Sequence, residues 1–297
     1  MKRSVQRAVA GVAVLWAAWA GAAPAVHVEP RTPAPGEIFR VRLEGGTRTC
    51  PCRLRLGDRE FPLWPSGDGS WEGFGAVDRD LSPGASTVQV VDRAGQLVAQ
   101  ARIEVRSRPY GIQEIRVDPR MVHPKGEDAE RARREARLIR AVLGTITPRR
   151  LWSNGFSLPA RGPVSGPFGV RRVYNGTPRG YHTGLDIAAP RGSPVRAAAS
   201  GRVALARELY YTGNTVFLDH GLGLYTAYFH MDSLSVEEGQ RVRAGTVLGT
   251  VGSTGRSTGP HLHWGVYVAG VKVDPLSLIQ VAGTGNHGLT GPGGRGE

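Results

Sequence analysis

The stretch Gly259-Pro260-His261-Leu262-His263-Trp264-Gly265-Val266-Tyr267-Val268 decides how the C-terminal half of this chain is read. Leu262, Trp264, Val266 and Val268 recur with period two, as the core face of a β-strand does. His261 and His263 then project together from the other face. Two histidines on one sheet face, held by an apolar opposite face, make a rigid metal or acid–base site. A pair of solvated surface histidines would show the same spacing, so the reading needs partners elsewhere in the chain.

Upstream, Gly180-Tyr181-His182-Thr183-Gly184-Leu185-Asp186-Ile187 sets a histidine four residues before an aspartate. Gly184 and the following Ala188-Ala189-Pro190 argue against a helix, so the spacing is not that of two metal ligands one turn apart on a helix. A loop entering a strand can bring one nitrogen and one oxygen to a shared metal. Between these elements, Tyr225-Thr226-Ala227-Tyr228-Phe229-His230 is a further strand ending in histidine. His220 sits at a turn and is expected to be structural. His27, His123 and His287 have no supporting context.

The N-terminal half differs in kind. Phe39-Arg40-Val41-Arg42-Leu43, Thr87-Val88-Gln89-Val90-Val91 and Ala101-Arg102-Ile103-Glu104-Val105 alternate with period two, separated by turn chemistry at Pro35-Gly36, Gly67-Asp68-Gly69 and Pro83-Gly84. Short strands at this spacing predict an immunoglobulin-like β-sandwich over residues 23–106, with no visible catalytic group. Residues 107–160 read as a connector with a helix near 127–143. There Ala129, Ala132, Ala136, Ile139 and Leu143 form an apolar stripe, Glu127–Arg131 and Glu130–Arg134 can pair, and Gly144 ends the helix. This helix is expected to pack on a neighbouring domain. A strand-rich unit follows over 161–280, and the glycine-rich residues 281–297 read as a flexible tail.

Lys2, Arg3 and Arg7 precede a short apolar run and the small-residue sites Ala18-Trp19-Ala20 and Gly21-Ala22-Ala23. That pattern is a secretory signal peptide over residues 1–22, which predicts export to the periplasm or cell envelope without stable membrane insertion after cleavage. The formal charge of +13 loses three units with that segment, and arginine supplies nearly all the rest. No basic block with interleaved aromatics speaks for nucleic acid, and an anionic envelope polymer is the expected partner. Cys50 and Cys52 flank Pro51 and read as structural, compatible with a tight local disulfide in an oxidising compartment; two isolated thiolates make a poor metal site.

The histidine elements, with Ser165-Gly166-Pro167-Phe168-Gly169-Val170-Arg171-Arg172, Asp219-His220-Gly221 and Gly252-Ser253-Thr254-Gly255, resemble the lysostaphin-type, LytM-like zinc endopeptidases. The resemblance implies an antiparallel β-sheet peptidase domain with a zinc groove, one Zn2+ per chain on His182, Asp186 and His263, and His261 with His230 as the catalytic pair. It further implies hydrolysis of stem-peptide cross-links in bacterial peptidoglycan, with regulatory envelope proteins as further partners. In Gram-negative relatives a β-domain and helical connector precede the peptidase. A catalytically silent, peptidoglycan-binding activator is the alternative, but such relatives have lost zinc ligands. A biotin- or lipoyl-carrier reading of residues 201–249 fails because that stretch contains no lysine.

Overall fold

The structure is a computed structural model that describes residues 23–45 and 52–283. The expected signal peptide, Cys50 and most of the expected tail lie outside the described residues. The N-terminal strands are β1 (Ala25–Glu29), β2 (Ile38–Glu44), β3 (Arg53–Leu56), β4 (Arg59–Pro65), β5 (Trp71–Ala76), β6 (Gly84–Val91) and β7 (Leu97–Val105). Their period-two pattern works as expected: in β2, Phe39, Val41 and Leu43 are buried while Arg40 and Arg42 are half-buried. The strands run antiparallel in the order β1-β2-β5-β4-β3-β6-β7. Four strands in the order 1-2-5-4 and three in the order 3-6-7 share the strand order of constant-type immunoglobulin sandwiches. Here β3 also pairs with β4, which joins the two sheets along one edge. Cys52 is buried and disulfide-bonded.

The connector contributes more than a helix. Strand β8 (Ile112–Ile115) is followed by the short 3-10 turn Pro119–Met121 and by helix α1 (Gly126–Gly144). The apolar side of α1 presents Leu138, Ile139, Val142 and Leu143 to a cluster of Leu205, Phe217, Tyr225, Phe229 and Tyr267. The expected stripe does face inward, with Ala132 buried and Ile139 and Leu143 packed on the cluster, and Leu138 and Val142 widen it. The expected Glu127–Arg131 pair is replaced: Arg131 Nε donates to Glu135 at 2.7 Å and its guanidinium lies 3.6 Å from Glu208. Arg134 and Glu130 do approach, at 3.8 Å.

The C-terminal region comprises β9 (Val164–Gly166), β10 (Arg171–Tyr174), β11 (Thr177–Tyr181), β12 (Leu185–Ile187), β13 (Pro194–Arg196), β14 (Gly201–Leu209), β15 (Gly213–Asp219), β16 (Leu224–Leu234), β17 (Arg241–Val242), β18 (Val247–Val251), β19 (Leu262–Val268) and β20 (Val271–Val273). A ten-stranded sheet follows the path β17-β14-β15-β16-β19-β12-β9, with β13, β18 and β20 attached at its sides. Leu262, Trp264, Val266 and Val268 of β19 enter the main core. That core continues into the N-terminal domain through Trp152, whose ring lies 5.7 Å from Trp64 and 6.1 Å from Phe74. Helix α2 (Pro275–Ala282) is the last element among the described residues. It runs two residues past the expected boundary at 280, and Phe156 N donates to Gly283 O at 3.0 Å, so residues 281–283 are packed.

Candidate metal centre

Three adjacent strands build the centre. In the antiparallel register Asp186 of β12 stands opposite His263 of β19, and His263 stands opposite Phe229 of β16. His182 arrives from the turn before β12. That turn is tight because residue 184 has no side chain: a Cβ there would lie 2.4 Å from Trp264 O and 2.6 Å from His263 Nε2. Gly166 of β9 gives similar room, since a Cβ would come within 2.5 Å of Asp186 Oδ2.

The donor atoms converge. His182 Nε2 lies 2.8 Å from Asp186 Oδ1 and 2.9 Å from His263 Nδ1, and that Nδ1 lies 2.8 Å from Asp186 Oδ1. All three residues are buried. His182 Nδ1 donates to Pro167 O at 2.7 Å, which leaves Nε2 as a lone pair. His263 Nε2 is buried without a hydrogen-bond partner. At most one hydrogen can therefore serve three acceptors in mutual contact, a costly arrangement that a cation relieves. Two imidazoles and one carboxylate are a donor set that suits zinc with a fourth position open. Burial pushes the His263 imidazole down to about 4, so it is neutral at pH 7, the state a metal ligand needs. Burial alone would raise the Asp186 carboxyl, but its bonds to His182 and His263 hold it well below the usual carboxylate range.

Arg172 completes this shell. Its guanidinium donates to Asp186 Oδ2 at 2.8 Å, with both side chains about one-tenth exposed at 11%. In the sequence Arg172 ends the stretch Ser165 to Arg172 with nothing that assigns it a role. Its position beside Arg171 in a strand held one signal, because only one of two neighbours can face the aspartate.

His261 and His230 join the centre without joining the donor cluster. Their rings lie 4.9 Å apart, and His261 Nε2 is 3.8 Å from Asp186 Oδ1. A regular strand would send Phe229 and His230 to opposite faces. His230 adopts a left-handed φ of 62°, which breaks the alternation, and both residues line the groove. His261 Nδ1 donates to Gly259 O and His230 Nδ1 to Thr254 O, each at 2.8 Å. A carbonyl can only accept, so each ring keeps Nε2 as its free lone pair. Burial, with the neighbouring histidines, pushes His230 down to about 3. The ring of Phe229 stacks on His263 at 5.1 Å and fixes its plane.

The groove over these residues has a volume of about 840 Å³. One wall carries Tyr174, Arg179 and Tyr211, and connector residues 113–117 line it as well. By contrast His220 is wholly enclosed, bonded at Nδ1 to Ser200 O and at Nε2 to Thr226 Oγ1, as its expected structural role requires.

A buried His-Asp-His cluster at the junction of antiparallel strands, beside two further histidines in an open groove, defines a metallohydrolase-type centre. Residues 180–275 match the profile of Peptidase family M23. The crystal structure of an M23 peptidase from Pseudomonas aeruginosa aligns with a TM-score of 0.65 and 30% identity, over 84% of this chain and 95% of that one. The chain belongs to the M23 peptidase family. It is also 45% identical over 115 residues to the DD-carboxypeptidase/endopeptidase Mpg of Neisseria meningitidis, spanning 39% of this chain and 26% of that protein. The peptidoglycan DD-endopeptidase ShyA of Vibrio cholerae is 40% identical over 114 residues, spanning 38% and 26%. The match thus spans about a quarter of the length of these curated relatives.

Proposed function

We propose that this chain is an exported, zinc-dependent endopeptidase that hydrolyses peptide cross-links of bacterial peptidoglycan in the cell envelope. The observation that carries the reading is the meeting of His182 Nε2, Asp186 Oδ1 and His263 Nδ1 within 2.9 Å of one another, beside two histidines whose Nε2 atoms stay free. The names of the DD-endopeptidase relatives support the substrate class. Among the described residues, no helix is long and apolar enough to cross a membrane.

His182, Asp186 and His263 would hold one zinc ion per chain. When bound, zinc lowers the pKa of water and polarises a carbonyl, the two aids that amide hydrolysis at neutral pH requires. His261 acts as the base: its Nε2 takes the proton from the attacking water as the oxygen bonds to the carbonyl carbon. It is 17% exposed at the groove rim, so solvent shares the charge it gains. The same proton then passes to the leaving nitrogen as the C–N bond breaks. His230 is buried in the groove floor and neutral, and with Nδ1 given to Thr254 O its Nε2 can only accept. That suits it to hold the water in line rather than to donate to an oxyanion. Arg172 donates to Asp186 Oδ2, so Oδ1 is the carboxylate oxygen that would help hold the ion.

Digestion of purified sacculi, followed by mass analysis of the fragments, tests the assignment. Cross-linked dimers should disappear while the glycan gains no new reducing ends. New reducing ends with intact cross-links would overturn it, because a glycosidase would be at work. Protein prepared without added metal should carry about one zinc per chain.

A further inference from the structure

Strand β8 brings an open edge into the groove. It pairs with β10 in parallel, with Gln113 opposite Arg172 and Glu114 opposite Val173. In this register the odd-numbered residues face β10 and the turn after it. Arg171 N donates to Gly111 O at 2.9 Å and Asn175 N to Ile115 O at 3.0 Å. The Asn175 side chain clamps both backbone groups of Val117, accepting from N at 3.0 Å and donating to O at 2.9 Å. Ile112, Glu114 and Arg116 therefore turn their N–H and C=O groups the other way, and no other strand pairs with β8 among the described residues.

That free edge faces the groove. Residues 113–117 line it consecutively. Gln113 and Ile115 share a face with Arg172 and Tyr174, which also line the groove, and Glu114 lines it from the opposite face, so the groove reaches round the free edge of β8. The apolar side chain of Ile112 is 68% exposed at the start of the same edge. From this geometry we infer that an extended stretch of the stem peptide docks on β8 as an added strand, bonded through the backbone groups of Ile112, Glu114 and Arg116. The inference rests on the peptidoglycan reading above.

Charge favours this occupant over another basic surface. Arg116, Arg179, Arg256 and Lys272 line the groove, and of its lining acids Asp186 is already paired with Arg172, which leaves Glu114. Stem peptides carry free carboxylates, which such a field draws in. The edge and the metal centre also share a support. Arg172 stands opposite Gln113 in the register and reaches Asp186 with its guanidinium. A peptide seated on β8 thus lies one arginine side chain away from the centre.

Glu114→Pro tests the edge without cutting a bond to β10, because the N–H it removes points into the groove, where an edge strand tolerates proline. With a purified cross-linked muropeptide dimer as substrate, KM should rise about two- to twelvefold, the span of one net hydrogen bond. Over the same comparison, kcat should move less than twofold. A second measurement does not depend on that variant folding. Amide hydrogen exchange on His261→Ala, with the same dimer bound, should show new protection at Ile112, Glu114 and Arg116. An unchanged KM in Glu114→Pro, or protection confined to the groove floor, would overturn the docking edge while wild-type cleavage still upheld the hydrolase. Protection that appears without the dimer and grows with protein concentration would also overturn it, since a second copy would then hold the edge. Wild-type protein that cleaves no dimer at all would instead remove the hydrolase reading itself.

Discussion

The turn around His220 and the groove around His230 hold buried histidines of opposite purpose. At His220 both ring nitrogens are consumed, by Ser200 O and Thr226 Oγ1, 2.8 and 2.7 Å away. In the groove, His230 and His261 each spend one nitrogen on a carbonyl and keep the other. Burial lowers the basicity of both His220 and His230, so a depressed pKa does not separate the two regions. The nitrogen left without a protein partner does. A histidine that the fold satisfies fully is part of the scaffold, and one it leaves half satisfied is available for chemistry.

Replacement should expose that difference in steps. His263→Ala removes a proposed ligand, so bound zinc should fall from about one per chain to near zero, and cleavage should vanish with it. His261→Ala should keep its zinc and lose about 10²–10⁴-fold in cleavage, the usual contribution of general acid–base catalysis. Measuring metal content and turnover on both variants separates ligand from base. Zinc lost only from His261→Ala would mean the two roles are exchanged.

Arg172→Ala tests the shell around the cluster. Partners of metal ligands typically contribute about 10–100-fold in metal affinity, and a loss of that size should appear in competition with a chelating dye. Unchanged affinity would reduce the contact with Asp186 to a bystander ion pair.

His220→Gln should bring the smallest functional change. Zinc content should stay at wild-type level, while stability falls by about 1–3 kcal/mol for the disturbed buried bonds. Burial holds His220 down to about 4, below its ordinary 6.5. Between those values the unfolded chain takes up a proton that the folded chain refuses. This contribution to stability is present above about 6.5 and is lost as pH falls toward 4. Denaturant midpoints at pH 7 and pH 5 should therefore drop further in wild type than in His220→Gln. Equal drops would contradict the buried, neutral assignment.

Local pattern carried much of the architecture. The alternation of Leu262, Trp264, Val266 and Val268 located both the core face of β19 and the side on which its histidines lie, because strand periodicity is set by the backbone alone. The N-terminal strands were legible for the same reason, since Phe39, Val41 and Leu43 do sit inside β2. What stayed hidden depends on distant partners. Nothing in residues 112–115 foretells a parallel pairing with β10 some sixty positions later, and the segment read only as connector. Glu127 and Arg131 have the spacing of an i,i+4 pair, yet Glu135 and Glu208 compete for the same guanidinium. The sequence sets His230 at the end of a strand, but its left-handed turn into the groove has no sequence mark, since histidine there resembles any other strand terminus. The sorting of five residues into ligands and catalytic pair came from family resemblance and not from spacing.

The bare backbone at Gly184 has a consequence for reading other chains. A single methyl group there would stand 2.6 Å from His263 Nε2, closer than real carbon atoms approach. A sequence could keep His182, Asp186, His230, His261 and His263 intact, carry alanine at this one place, and satisfy every motif while its three donors never met. Inactivity can thus be written by adding an atom beside the centre as surely as by deleting one within it, and a search that counts only histidines would pass such a chain as competent.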